Sequence, residues 1–266
     1  MNHLLRGHAP LTDSNWKLLD EEARERLAGP LAARRLVDFI GPQGWEHSAT
    51  NLGRVEPIDG PEDGVSALRR RVLPLVEVRV DFTVSRAEMR DDDRGAVDVD
   101  LDSLDNAAHE IAIAENSAVF NGWAKAGIAG VIETSPFEPE PLGPKADGYP
   151  RSVARAVEAL REAGVEGPYG LALGPDEYIK VIESAEHGGY PLFDHLAKIL
   201  EGPIVWAPGL SGAIAMSLRG GDFLLESGQD LSIGYDHHDA DQVHLYLEES
   251  FSFVVATPEA AAPLSA

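Results

Sequence analysis

Histidine and carboxylate side chains that could bind a metal ion cluster near residue 240. The run Asp236-His237-His238-Asp239 is followed by Asp241 and His244. Imidazole and carboxylate ligands suit zinc or iron. The run also lies between two predicted strands, where Asp tolerates a tight turn and neighbouring side chains diverge. The spacing therefore favours a solvent-exposed turn, and a metal site is the alternative.

A second pair with possible acid–base or ligand chemistry is Glu186-His187, in the glycine-containing loop Ser184 to Pro191. We interpret this pair as part of a loop or pore lining, because it has no nearby partner of the right type in the sequence. The acidic run Asp91-Asp92-Asp93 is most simply a solvated face, since paired carboxylates are common in a chain this acidic.

The signatures of common enzyme sites are missing from the sequence. There is no phosphate-binding glycine loop, and His109-Glu110 lacks the second His that a zinc peptidase helix needs. The run Gly209-Leu210-Ser211-Gly212-Ala213 ends in Ala where a nucleophile elbow requires Gly. With no cysteine, thiolate nucleophiles and disulfides are excluded. We therefore predict no catalytic residues and no metal site.

Two alternating runs predict the strands of a large sheet. Apolar residues occupy most odd positions from Val243 to Val255, and Val76 to Val84 alternates in the same way. The first run is longer than an average strand, which has roughly five or six residues. Between Trp45 and Leu75, a stretch rich in Gly and Pro predicts an extended arm or hairpin whose partners lie outside the domain; a disordered surface loop is the alternative.

Three further segments are predicted, and helical periodicity identifies the first two of them. A docking helix follows the three candidate N-caps Thr12-Asp13-Ser14, with Trp16, Leu19, Ala23 and Leu27 on one stripe. A long spine helix is predicted from about 104 to 126, after a charged link over 86–102. Residues 136–218 alternate short strands and helices and read as an inserted α/β subdomain. Protruding elements must bury their apolar faces, so this organisation indicates self-assembly.

Charge and hydropathy limit the partners. The formal net charge is −23, which repels phosphate backbones and anionic lipid surfaces, so neither nucleic acid nor membrane is an expected partner. The first residues lack the apolar core of a secretory signal, and no run of about eighteen apolar residues exists. We expect a cytoplasmic protein.

Motifs along the whole chain resemble the encapsulins, specifically the shell proteins of the first encapsulin family. The motifs that carry this resemblance are Leu4-Leu5-Arg6, Ala9-Pro10-Leu11, Gly41-Pro42-Gln43-Gly44-Trp45-Glu46, Pro74-Leu75, Phe82-Thr83, Gly167-Pro168-Tyr169, Gly189-Tyr190-Pro191, Arg219-Gly220-Gly221-Asp222-Phe223 and Gly228-Gln229-Asp230-Leu231-Ser232-Ile233-Gly234-Tyr235. They occur in order over essentially the full length.

The resemblance implies an α+β fold, the tailed-phage major-capsid fold of the Hong Kong 97 type. Its parts map onto this chain as an N-terminal helix with the start of the P-domain (1–48), an E-loop (49–75), the P-domain with its spine helix (76–135), an A-domain (136–228) and the C-terminal P-domain strands (229–266). The implied function is structural rather than enzymatic. About sixty copies would enclose cargo enzymes, dye-decolourising peroxidases or ferritin-like iron-oxidising proteins, held by a C-terminal targeting peptide. A phage-type capsid protein is the alternative, and a peptidase or metal-dependent enzyme a weaker one.

The resemblance also implies two sites. For the cargo peptide, we predict contacts with Arg34, Leu36, Asp38, Leu231 and Ile233, although these residues could instead only pack the shell. For a pore at the five-fold axis, we predict the loop residues Glu183, Glu186, His187, Gly188, Gly189 and Tyr190. Some relatives stack a flavin on a Trp, but Ala87 occupies the aligned position here, so no cofactor is expected.

Overall fold

The sheet that contains the longest strand organises the fold. The computed structural model describes residues 3–185 and 189–266. The first sheet has five strands: β1 (Asp38–Ile40), β4 (Val76–Ser85), β9 (Phe223–Ser227), β10 (Ser232–His238) and β11 (Gln242–Val255). β11 pairs antiparallel with β4, β10 and β9. Both strands predicted from alternation are confirmed.

Burial along β11 follows the predicted alternation only at its start. Val243 and Leu245 are buried and His244 between them is partly exposed, but Tyr246 is buried as well as Leu247. Further along, Ser252 is fully buried as well, because Thr50 covers it with its hydroxyl oxygen 2.5 Å away. The second half of β11 is therefore enclosed on both faces, which a period of two does not reveal.

Helices cover the apolar face of this sheet. They are α1 (Asp13–Ala28), α2 (Arg86–Asp93) and α3 (Asp102–Phe120). Buried residues of α1 and α3 form one core with Phe82, Leu245 and Leu247 of the sheet. α3 ends before the predicted position 126, because Gly122 takes a φ of 90° that turns the chain out of the helix.

α2 lies where the sequence predicted a charged link without structure. The Ser85 hydroxyl accepts hydrogen bonds from the first two free backbone N–H groups of the helix, which is the usual role of an N-cap serine. Asp92 accepts a hydrogen bond from the Asn15 amide at 2.7 Å, and Asp93 accepts one from the Thr12 hydroxyl at 2.8 Å. These two carboxylates tie α1 to α2. Asp93 is exposed, as the predicted solvated face requires, and Asp92 is half-buried, so the acidic run also has a structural role.

A second five-stranded sheet forms the other half of the molecule. Its strands and flanking helices are β5 (Glu140–Pro141), β6 (Tyr169–Leu173), β7 (Ile204–Trp206), β8 (Ala213–Ser217), β12 (Ala261–Ser265), α4 (Val131–Thr134), α5 (Tyr149–Glu162), α6 (Pro175–Glu183) and α7 (Leu192–Leu200). All five residues of β6 and all five of β8 are buried, because helices and loops enclose the sheet. The predicted α/β segment is confirmed.

Strand pairing places two segments differently from the predicted boundaries. β9 pairs with β1 and β11 in the first sheet, although residues 223–227 fall within the predicted A-domain. β12 pairs with β8 and β5 in the second sheet, although the 229–266 segment was assigned wholly to the P-domain. The small apolar residues of the tail explain the second case, since Ala261, Ala262 and Leu264 are buried against β8.

The predicted arm is a β-hairpin. β2 (Ala49–Asp59) and β3 (Ser66–Pro74) pair antiparallel and form a two-stranded sheet of their own. The register shifts between Asn51 and Arg54, which marks a bulge near the base. Of the two sequence interpretations, extended hairpin and disordered loop, the structure shows the hairpin.

Candidate functional site

A large candidate cavity lies between the N-terminal segment, α1 and the start of β10. Its volume is about 600 Å³. The wall is mainly apolar, with charged residues at the rim. The lining residues are Leu4, Arg6, Asp20, Ala23, Arg24, Leu27, Ala28, Leu31, Arg34, Asp230, Leu231, Ser232, Ile233 and Leu247. We call this cavity the α1–β10 groove.

A local capping box and long-range hydrogen bonds position the two walls of the groove. Thr12 and Asn15 form a reciprocal capping box that begins α1 and orients its Leu19, Ala23 and Leu27 stripe. The N-terminal segment is held to the edge of β10, where the Tyr235 N–H donates to the Leu4 carbonyl at 2.9 Å. Arg6 joins the two walls, because its guanidinium donates both to the Ile233 carbonyl and to the Asp20 carboxylate.

Arg34 lies at one end of the groove among three carboxylates. It donates to Glu115 at 2.7 Å, to Asp230 at 2.7 Å and to Glu249 at 2.8 Å. Glu115 and Glu249 are almost completely buried, and each has one carboxylate oxygen without a hydrogen-bond partner in the described structure. One guanidinium therefore faces more negative charge than it can neutralise, so the arrangement favours a proton on the buried pair.

The directions of the pKa shifts of Glu249 and Arg34 follow from this geometry. Burial raises the pKa of Glu249 well above its ordinary value, and the nearby Glu115 carboxylate raises it further, while Arg34 lowers it in part. For Arg34, burial alone would lower the pKa, but the Glu115, Glu249 and Asp230 carboxylates raise it above the ordinary arginine value. Arg34 thus stays charged, and Glu249 is the group that responds to pH.

The predicted peptide contacts divide between two cavities. Arg34, Leu231 and Ile233 line the α1–β10 groove together. Leu36 and Asp38 instead line a separate cavity of about 160 Å³ beside the Gly220 turn. Leu36 is buried, and the Asp38 carboxylate accepts a hydrogen bond from the Gly221 N–H at 2.5 Å. The structure does not bring these two residues to the groove and gives them structural contacts.

Sequence reasoning missed several groups at the groove. Arg6 was noted only as part of a motif, and the carboxylates of Glu115 and Glu249 were not singled out. A signal was present, because Glu249 interrupts the apolar odd positions of β11 and Glu115 lies one turn after Ile111 on the buried face of α3. A charge on a buried face usually has a partner, and both have Arg34.

The predicted pore loop is described only in part. Glu186, His187 and Gly188 lie outside the described residues. Glu183 is exposed at the end of α6, and Gly189 and Tyr190 are exposed as well. An antiparallel bridge between Ala185 and Pro191 closes the base of the loop. The end of α6 and the start of α7 are therefore fixed relative to each other.

The histidine cluster near residue 240 is a strand end followed by a turn. The rings of His237 and His244 stack with centroids 4.0 Å apart, and the His237 Nδ1 lies 2.8 Å from Asp236. The turn itself is 239–241, between β10 and β11. Within residues 3–185 and 189–266, no group of three or more side chains is arranged to hold a metal ion.

The chain matches a family model over most of its length. The model of the family described as "Encapsulating protein for peroxidase" matches residues 1–252. The chain belongs to this family. Two similar relatives are type 1 encapsulin shell proteins. The one from Rhodospirillum rubrum is 46% identical over 99% of this chain and 96% of its own length. The one from Rhodococcus erythropolis is 44% identical over the whole of both chains.

Solved structures support the same fold. The virus-like particle from Pyrococcus furiosus superposes with a TM-score of 0.66 at 20% identity, over 93% of this encapsulin chain and 98% of that one. The capsid of an empty GTA particle gives a TM-score of 0.57 at 15% identity, over 90% and 91% of the two chains. The Hong Kong 97-type capsid fold is confirmed.

Family membership establishes the general role. The protein is an encapsulin shell protein that self-assembles into a capsid-like particle, and it is a structural protein rather than an enzyme. In the part of the chain that the structure describes, no helix is long and apolar enough to cross a lipid bilayer.

Proposed function

We propose that about sixty copies of this chain close into an icosahedral nanocompartment in the cytoplasm that encloses a cargo enzyme. The cargo is a dye-decolourising peroxidase or a ferritin-like iron-oxidising protein, held by a short C-terminal targeting peptide. The matched family, described as encapsulating proteins for peroxidase, supports the first of these cargoes. Small substrates and ions reach the cargo through pores.

The α1–β10 groove is the observation that carries the proposal for the targeting peptide. Its volume of about 600 Å³ falls within the range of small-ligand pockets and suits a few side chains of an extended peptide. Leu27, Leu231 and Ile233 offer apolar contacts, while Arg6 and Arg34 lie where they can orient the peptide by hydrogen bonds. Of the five residues predicted from the resemblance, we retain Arg34, Leu231 and Ile233 for this role.

A matched pair of substitutions tests the groove. Leu231 and Leu218 are both partly buried leucines, and they lie in the groove and in the separate smaller cavity respectively. A peroxidase that carries the C-terminal targeting peptide is expressed together with each variant, and the amount of peroxidase that co-purifies with the shells is measured. We expect Leu231→Ser to lower the captured peroxidase about tenfold, because a polar group on an apolar wall weakens the fit. Leu218→Ser should capture normal amounts; equal capture by both variants would refute the groove assignment.

We propose a pore at the five-fold axis from the loop that contains Glu183, Glu186, His187, Gly188, Gly189 and Tyr190. Five copies of the acidic and imidazole side chains near one axis would favour cations and respond to pH. The closed base of this loop supports the proposal. Iron uptake by shells loaded with a ferritin-like cargo should slow in a Glu186→Ala/His187→Ala variant, and unchanged uptake would refute the role.

We propose further that the shell binds no flavin, nucleic acid or membrane. Ala87 is exposed in the first turn of α2 and offers no ring on which a flavin could stack. The charge of −23 per chain repels phosphate groups. Flavin absorbance of the purified particle and its absorbance ratio at 260 and 280 nm test the first two points, and a lipid-vesicle flotation assay tests the third.

A further inference from the structure

The N-terminal segment forms the third wall of the α1–β10 groove. We call residues 3–8 the N-terminal strap. The Leu4 side chain is buried in the lining of the groove, and the Leu4 carbonyl accepts a hydrogen bond from the Tyr235 N–H at 2.9 Å. Because β10 is an edge strand of the first sheet, the strap covers part of an edge that would otherwise be open.

Arg6 connects the strap to both other walls of the groove. Its Nε donates to the Ile233 carbonyl at 2.8 Å, and its two terminal nitrogens donate to the Asp20 carboxylate at 2.8 and 2.6 Å. Its guanidinium carbon also lies 4.5 Å from the centre of the Trp16 ring. A planar guanidinium fixes its partners in both distance and direction, which the flexible ammonium of a lysine cannot do. One side chain therefore sets the separation of α1 from β10 beside the strap.

The backbone of the strap is bent in a way that places Arg6 in this position. Leu5 has a φ of 52°, in the left-handed region that is unfavourable for a residue with a Cβ atom. With this bend, the Leu4 carbonyl and the Arg6 side chain both reach β10. The Leu5 side chain is 40% exposed, so its own packing does little to offset the cost. A strained residue persists where the contacts of its neighbours hold it, and here Leu4 and Arg6 supply those contacts.

His3 holds the other end of the strap. Its ring stacks on Trp45 with centroids 3.8 Å apart and an angle of 11° between the planes. Its Nε2 lies 2.8 Å from the carboxylate of Glu248, which is on β11. These contacts fix the strap to the first sheet, and Arg6 then fixes α1 to the strap.

We propose that Arg6 is a positioning residue for the targeting peptide: it sets the width of the groove and thereby the size of the peptide side chain that fits. This inference rests on the proposed binding of the peptide in the α1–β10 groove. Ala23 and Leu27 line the groove from α1 and Ile233 lines it from β10, so the distance that Arg6 fixes is the space left for an apolar side chain. In such a pocket one methylene more or less changes discrimination about tenfold or more.

Competition between two cargoes tests this role. Two peroxidases are expressed together with the shell: one carries the C-terminal targeting peptide, and the other carries this peptide with Phe in place of one aliphatic residue. Each aliphatic residue is replaced in turn, and the replacement that native shells reject most strongly is used. Native shells should favour the unchanged peptide about tenfold. Arg6→Lys keeps the charge but lacks the planar fork, so it should lower the total capture and bring the ratio of the two peroxidases close to one.

Two further variants make the test specific. Asp20→Asn weakens the same link from the α1 side and should shift the ratio in the same direction. Arg26→Lys is the matched control, because Arg26 also pairs with two carboxylates, Glu22 at 2.7 Å and Asp105 at 3.0 Å, but does not line the groove. This control should keep both the captured amount and the ratio. Electron microscopy checks that each variant forms shells.

The ratio separates positioning from a purely structural role. If Arg6 only stabilises the chain, Arg6→Lys lowers the capture of both peroxidases by the same factor, and an unchanged ratio therefore overturns the proposal. Native shells that reject no replacement would overturn it as well. Capture that depends on Leu231, with a ratio that does not depend on Arg6, would leave the groove assignment intact and refute the role of Arg6 alone. Capture that does not depend on Leu231 would refute both.

Discussion

The buried carboxyl pair at Arg34 is the most unusual chemical feature among the described residues. A single arginine faces Glu115, Glu249 and Asp230, and the two glutamates are screened from water. Burying an ionised carboxylate is costly unless it is fully paired. A proton on Glu249 relieves the excess charge, so the native state holds a proton that an exposed glutamate would release.

Glu249→Gln should therefore flatten the pH dependence of stability. Because the native pKa of Glu249 is raised, its contribution is complete below the ordinary value of 4.5 and is lost as pH rises towards the native pKa. Glutamine imitates the protonated acid and keeps an oxygen for Arg34. Thermal unfolding of assembled particles between pH 5 and pH 8 should show the variant gaining stability relative to the native chain as pH rises.

The comparison with Asp230→Asn makes this prediction specific. Asp230 also pairs with Arg34 but is considerably more exposed, with a side-chain exposure of 38%. Its charge raises the pKa of Glu249 less than burial and Glu115 do, so Asp230→Asn should change the relative pH dependence less than Glu249→Gln does. Parallel stability curves for the native chain and Glu249→Gln would contradict a proton held at Glu249.

At the scale of elements, α1 depends on its first turn. The Thr12 hydroxyl accepts the Asn15 N–H and donates to Asp93, so one side chain both caps α1 and links it to α2. Thr12→Ala should cost about 1 kcal/mol of stability. Thr12→Ser keeps both hydrogen bonds and should lose much less. Thermal unfolding of the two variants checks the order, and equal losses would show that the methyl group, not the hydroxyl, matters.

The C-terminal strand gives a second prediction at this scale. β12 lies between β5 and β8 in the second sheet and buries Ala261, Ala262 and Leu264. Removing residues 261–266 would expose the edge of β8 and should lower the yield of soluble particles and their melting temperature. Removing only Ala266, which is exposed and lies beyond β12, should have little effect. Unchanged particles from the longer truncation would show that β12 is dispensable.

The sequence predicted elements with strong local signals and missed those set by distant contacts. Alternation located β4 and β11, and Gly and Pro punctuation located the arm. The sheet that β9 and β12 join depends on which strand edge is free, and no local pattern records this. At the site, the resemblance grouped five residues, of which Leu231 and Ile233 line the groove with Arg34, whereas Leu36 and Asp38 line the smaller cavity. Which cavity a residue lines depends on the packing of distant elements, and no local pattern records it.

At the scale of the whole molecule, the uneven exposure of apolar side chains agrees with assembly of the chain into a shell. The two five-stranded sheets have closed cores, whereas the arm, Val97 between α2 and α3, and the outer face of α6 keep apolar residues in water. On α6, Ile179 and Ile182 are exposed by 53% and 57%, next to the predicted pore loop. Extensive exposure of apolar side chains is expected of a subunit whose surface becomes interface.

The particle as a whole should contain protein cargo and no nucleic acid. About sixty copies of a 28.6 kDa chain have a mass near 1.7 MDa before cargo is added. The formal charge of −23 on every chain gives a shell that repels phosphate backbones, whereas an enzyme held by a short peptide needs only the groove. Native mass spectrometry of particles purified with nuclease omitted should give the protein mass alone. A 28.6 kDa monomer would refute the shell, and packaged nucleic acid would favour a phage-type capsid over a nanocompartment.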